Sequence, residues 1–230
     1  MFIFDSAYIW MVFIPSLLLS ILAQLFVKSA YSKWGKTRNS LGLTGAEVGE
    51  RIRRSAGLNQ VGFEGVPGQL SDHFDPRSNV VRLSQDIATK PSVAAMAIVA
   101  HELGHAQQYA QNSPLITMRS FLVPAMQFSP TVSYLLIFLG LFIGGFEFLI
   151  WPGILLFGLV VLFMLLTLPV EIDASRRGLA LLSNSGLMAD TRDASGARQM
   201  LTAAALTYVA AFVSALLTLL YYISIANRRN

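Results

Sequence analysis

Four stretches of this 230-residue chain contain no Asp, Glu, Lys or Arg: Ser6 to Val27, Ser120 to Phe146, Phe148 to Val170 and Gln199 to Asn227. Each is longer than the ~20 residues with which a helix crosses ~30 Å of hydrocarbon. Four membrane-spanning helices are therefore expected. The composition agrees, with 54% hydrophobic against 13% charged residues and a mean hydropathy of +0.56, a balance unlike that of an ordinary soluble domain. The charge is concentrated between the first two stretches: Lys28 to Arg119 carries 18 of the 30 charged residues. That segment belongs in water and is long enough for one small domain.

The net charge of +4 does not point to nucleic acid, because the basic residues gather at the edges of the apolar stretches, as membrane topology requires. Lys28, Lys33, Lys36, Arg38, Arg119, Arg176, Arg177 and Arg198 lie on one side of the expected membrane, and Arg228 and Arg229 on the other. Basic residues favour the cytoplasmic side, so a cytoplasmic hydrophilic domain in a multi-pass protein of a bacterial cell membrane is expected. The N-terminus with Asp5 and the hairpin around Glu147 would face outward. The first stretch reads as a permanent anchor rather than a signal peptide, since no basic region precedes it and its apolar run is long. With no cysteine, disulfides, thiolate nucleophiles and cysteine metal sites are excluded, and any metal must use His and carboxylates.

Within the hydrophilic part, Thr44-Gly45-Ala46-Glu47 forms a capping-box pattern that predicts a helix to about Ala56, stopped at Gly57. Residues 61–84 are rich in Gly and Pro and end in Asp72-His73-Phe74-Asp75-Pro76 and Val80-Val81-Arg82-Leu83-Ser84, which suggests two short strands around a polar turn. Pro91 is placed to open a second helix running to about Ala110, closed by Asn112-Ser113-Pro114. Pro124 and Pro130 should kink the second apolar stretch, and Glu147 reads as a solvated turn residue.

The second helix contains His101-Glu102-Leu103-Gly104-His105. Residues four apart share one helix face, so the two imidazoles can hold one metal ion while Glu102, one step round, reaches a metal-bound water as general base. This spacing suits zinc hydrolysis. The apolar run Val93 to Ala100 leading into the motif is what a helix embedded in a small core should show. A catalytic zinc has three protein ligands and an open position. Glu171 is the favoured third ligand: it opens the charged segment after the third apolar stretch, and two crossings return it to the side of the histidines. Asp173 is the main competing ligand, and an ion pair of Glu171 with Arg176 or Arg177 is the alternative role. His73, the remaining histidine, reads equally as an oxyanion stabiliser or a turn residue, with Tyr109 and Arg176 as other candidates for the oxyanion.

Taken together, His-Glu-Leu-Gly-His-Ala-Gln-Gln, Asp-His-Phe-Asp-Pro with Val-Arg-Leu-Ser, Thr-Gly-Ala-Glu-Val and Glu-Ile-Asp-Ala-Ser resemble the bacterial YugP-type membrane zinc metallopeptidases, from about Leu43 to Tyr208. These are similar in turn to gluzincin membrane proteases of the HtpX type, whose third ligand is the Glu of a Glu-x-x-Ala-Asp motif. The resemblance implies His101, His105 and Glu171 as ligands of one Zn2+ per chain and Glu102 as the catalytic base. Ser175 stands where the wider motif has Asp. The resemblance further implies that the Val80 to Ser84 strand receives substrate by strand addition.

The reading is an α+β protein. A small zincin-like metallopeptidase domain at 28–119 is combined with about four spanning helices: an anchor at 1–27, a hairpin at 120–170 and a C-terminal helix at 199–230. A segment at 171–198 completes the metal site. The expected activity is zinc-dependent endoproteolysis near the membrane surface, on membrane-associated proteins or peptides, with the bilayer as partner and a membrane-protein complex or homo-oligomer left open. Manganese or cobalt could replace zinc in a His2Glu site. A catalytically silent metal-bearing scaffold is the alternative, and Glu102, which only chemistry requires, argues against it. Cleavage inside the membrane is disfavoured because only eight apolar residues precede His101.

Overall fold

The computed structural model describes residues 6–188 and 190–228; Asp5, Arg229 and Asn230 lie outside the described residues. The chain opens with helix α1 (Ser6–Trp34), followed by α2 (Gly45–Ser55), strands β1 (Gly62–Val66), β2 (His73–Asp75) and β3 (Val80–Ser84), the short α3 (Gln85–Thr89) and α4 (Val93–Ala110). Then come α5 (Pro114–Met126), α6 (Ser129–Phe142), α7 (Ile150–Asn184) and α8 (Thr191–Asn227). The protein is thus largely helical with a small sheet.

Among the described residues three helices, α1, α7 (with the short turn before it) and α8, are long and apolar enough to cross a membrane. The expected second span differs: it is divided into α5 and α6, bent by 52° at the break, so four spans result only if this pair counts as one. Proline supplies the cause. Pro130 sits in the first turn of α6, where its missing N–H is tolerated, and Pro124 lies inside α5. Glu147 accepts a bond from the Gly145 amide at 3.1 Å in an exposed turn.

By packing, the chain forms two compact units. One comprises the chain up to Ala23, Thr117–Pro169 and the part from Leu206 onward; the other comprises Gln24–Ile116 and Val170–Ala205. The first has a core of Ile137, Ile154, Phe157, Tyr221, Tyr222 and neighbours, while exposed aromatic and aliphatic side chains such as Phe13, Phe138 and Leu155 cover its surface.

In the second unit, Thr44 caps α2 with the full capping box: its hydroxyl accepts from the Glu47 amide and the Glu47 carboxylate accepts from the Thr44 amide. The helix ends at Ser55, as its sequence predicts. Helix α4 begins two residues later than expected, because the Ser92 hydroxyl accepts from the Ala95 amide at 3.1 Å and so serves as the cap that Pro91 cannot. Val93 to Ala97, Val99, Ala100 and Leu103 are all at most 2% exposed. A helix apolar on all sides has to be enclosed on all sides; here Ile52, Val81, Ile87, Leu182 and Leu187 belong to the enclosing core.

Among the described residues the sheet has the order β1-β3-β2, with β1 parallel and β2 antiparallel to β3. The β2–β3 hairpin matches the expected pair, and its turn is built on Asp75, which accepts from the Arg77 amide, the Ser78 hydroxyl and Arg82. That arrangement, led by Arg82, holds the Asp75 carboxyl well below its ordinary range. Strand β1 was not expected, since Gly62 and Gly65 weaken any strand pattern. Its presence overturns one expectation: β3 is the central strand, paired on both sides, and cannot receive a substrate strand. Among the described residues the outer strands of this sheet are β1 and β2.

Candidate active site

His101 and His105 lie one turn apart on α4 with their ring planes at 85° and centroids 4.8 Å apart. Opposite them stands Glu171 on α7, which runs without interruption through Val170 and Glu171 to Asn184. Its Oε2 is 3.3 Å from His101 Nε2 and 3.4 Å from His105 Nε2. The three side chains are 15%, 14% and 7% exposed.

Glycine allows this approach of two helices. A Cβ on Gly104 would stand 2.3 Å from the Ala174 carbonyl oxygen, and one on Gly178 would stand 2.8 Å from that of Ala100. Any other residue at Gly104 would hold α7, and Glu171 with it, away from the histidines.

Three features fit a metal. Ligands about 2.0–2.1 Å from one tetrahedral ion lie roughly 3.3–3.4 Å from each other, the separations seen from Glu171 to both histidines. Among the described residues Oε2 of Glu171 is buried without a hydrogen-bond partner, a costly state for a carboxylate unless an ion satisfies it. Finally, both histidines are oriented from behind. His105 Nδ1 is 3.0 Å from Gln108 Oε1, and His101 Nδ1 is 3.1 Å from the Ser175 hydroxyl. With each Nδ1–H donating to its oxygen, each Nε2 lone pair is directed to the shared point.

Gln108 is itself fixed, fully buried and donating through Nε2 to the Val170 carbonyl at 2.9 Å and the Asp173 carboxylate at 2.7 Å. Arg177 donates to the same Asp173 oxygen at 2.7 Å and to Gln107 and Gln111. Asp173 is therefore committed to Gln108 and Arg177 and stands outside the cluster. Arg177 pairs with Asp173 and not with Glu171.

Glu102, 8% exposed, is held by one oxygen: Oε2 accepts from the Phe74 amide on β2 at 2.9 Å. Burial raises its carboxyl above the ordinary range, opposed by the neighbouring histidines and the Phe74 bond and reinforced by Glu171. His73 is exposed, with Nδ1 2.8 Å from the Ser71 carbonyl oxygen, and does not join the cluster. Tyr109 packs its ring on Phe74 at 5.6 Å. Gln108 and Ser175 were missed as orienting residues, although helical spacing from His105 and Glu171 marks both.

The profile of the family described as "Putative neutral zinc metallopeptidase" matches residues 9–227 of this chain. The chain belongs to this family. It is also 40% identical over 212 residues, 92% of this chain and 93% of the relative, to a Bacillus subtilis protein named "Putative membrane protease YugP". No solved structure matches it. The family's name implies zinc, and among the described residues His101, His105 and Glu171 form a group that could hold it.

Proposed function

We propose that the protein is an integral membrane zinc endopeptidase of gluzincin type, with His101, His105 and Glu171 as the metal ligands and Glu102 as the general base. The observation that carries this reading is the buried Glu171 Oε2, without a hydrogen bond and within 3.4 Å of both imidazole Nε2 atoms. A zinc ion held there supplies Lewis acidity and an acidified water at neutral pH.

The protein's own groups do the rest. Phe74 N–H pins Oε2 of Glu102, which leaves Oε1 to take a proton from the attacking water and to return it to the leaving amine. Burial keeps that proton affinity higher than in an exposed carboxylate. Gln108 and Ser175 hold the rings of His105 and His101 in the tautomer the ligands need. An extended peptide would dock beside β2, an outer strand of the sheet, without the Phe74 amide, which Glu102 already takes.

This zincin-like assembly takes its third ligand from the residue that follows the apolar stretch ending at Val170. Membrane-associated proteins or peptides are accordingly the proposed substrates, and the distribution of basic residues supports a cytoplasmic catalytic part.

The test is elemental mass spectrometry of the detergent-solubilised full chain beside Glu171→Ala and Glu102→Gln, with proteolysis assayed in parallel. About one zinc per chain is expected in the wild type and in Glu102→Gln, with activity only in the former, and little zinc in Glu171→Ala. Full zinc occupancy without Glu171 would remove the basis of the reading.

A further inference from the structure

Helices α7 and α8 enclose a groove of about 380 Å3, lined by Ile172, Leu179, Leu201 and Ala205 together with the side chains of Arg176 and Arg198. The other two arginines on these helices are paired, Arg177 with Asp173 and Arg192 with Asp193. Among the described residues no salt bridge reaches Arg176 or Arg198, and both are exposed. Two guanidinium groups without a salt bridge, of which Arg176 still feels the Asp173 carboxylate, stand on the rim of one apolar groove, and each offers a fork of donors suited to a phosphate.

The position along the chain specifies the occupant further. Arg198 immediately precedes the charge-free stretch that begins at Gln199, and Arg176 lies six residues beyond the stretch that ends at Val170. Each helix thus passes from polar to apolar sequence at this groove. A molecule matching it has an anionic head and an aliphatic body. Free phosphate would leave the aliphatic lining unused, and an acidic peptide would put polar backbone against it. Basic pockets between spanning helices are known to take the headgroups of anionic lipids.

We propose that this groove binds one anionic phospholipid, its phosphate between Arg176 and Arg198 and an acyl chain along Ile172, Leu201 and Ala205. Ser175 also lines the groove, and its hydroxyl contacts His101 Nδ1. The lipid would therefore lie one side chain away from the histidine pair, although the proposal does not depend on catalysis.

Native mass spectrometry of the full chain, delipidated in a neutral detergent and offered phosphatidylglycerol and phosphatidylcholine with identical acyl chains, tests it. The wild type is expected to retain one phosphatidylglycerol in preference to phosphatidylcholine. Arg176→Gln/Arg198→Gln should reduce that retention at least tenfold, and Arg176→Lys/Arg198→Lys should keep part of it, which separates loss of charge from loss of fold. Arg77→Gln, in the turn before β3, should behave as wild type. Undiminished phosphatidylglycerol retention by the Gln double variant, or equal retention of both lipids by the wild type, would overturn the proposal. So would displacement of the lipid by glycerol 3-phosphate or by oligoglutamate at concentrations comparable to the lipid, since the groove would then be reading a free anion or an acidic peptide.

Discussion

Replacing Gly104 by alanine adds one methyl group at the closest approach of α4 and α7. The new Cβ would sit 2.3 Å from the Ala174 carbonyl oxygen, against about 3.5 Å for an unstrained contact. Relief therefore requires roughly 1.2 Å of helix separation at this point, in a core packed too densely to absorb it locally. Overpacking of this kind costs about 1–3 kcal/mol. The larger effect falls on metal binding, since metal–ligand distances tolerate only about 0.2 Å and Gly104 adjoins His105. Glu171 Oε2 would be drawn from 3.3–3.4 Å to about 4 Å or more from the imidazoles, outside the span of one ion. We expect zinc affinity, measured by chelator competition on the purified full chain, to fall at least tenfold, with a lower thermal midpoint. Gly178→Ala, whose Cβ would meet the Ala100 carbonyl oxygen at 2.8 Å, should give a smaller loss in the same direction. Gly65→Ala, with nothing within 4 Å of its Cβ, is the control. If Gly104→Ala kept wild-type zinc affinity, close helix contact would not be what positions Glu171.

Other outcomes follow from the same geometry. Gln108→Leu should weaken zinc retention about 10–100-fold and Ser175→Ala by less, because Gln108 orients His105 while also holding Val170 and Asp173; equal zinc affinity in all three proteins would refute the orienting roles. In the metal-free protein, the raised carboxyl of Glu102 makes folding more favourable below its unfolded value, about 4.5, and that advantage is lost as pH rises through the folded-state value. Glu102→Gln should therefore melt above metal-free wild type at pH 8, with the difference shrinking toward pH 4. A pH-independent difference would contradict the assignment to burial. Thr44→Ala removes one half of the capping box and should cost about 1 kcal/mol, read as a lower thermal midpoint with zinc affinity unchanged.

What the sequence discloses about this site depends on how local the geometry is. His101 and His105 meet because an α-helix repeats every 3.6 residues, so their spacing alone places them. Glu171 could be found by following the chain across the apolar stretches. Asp173, two residues on, could not be separated from it by spacing; its bonds to Gln108 and Arg177 make the difference. Sheet order is less legible still. Strand β1 carries two glycines and little alternation, and its parallel pairing with β3 depends on tertiary packing. That pairing puts β3 in the middle of the sheet, with β1 and β2 as its outer strands. The second apolar stretch shows another limit: its composition suits a single span, while two prolines and the break before Ser129 decide its shape.

The proposed metal centre is also separated in time. His105 leaves the ribosome 66 residues before Glu171, an interval of about 3–13 s at 5–20 residues per second. During that interval the nascent chain presents two histidines and a buried-to-be carboxylate, but no third ligand. The three proposed ligands can meet only after the third apolar stretch has been synthesised.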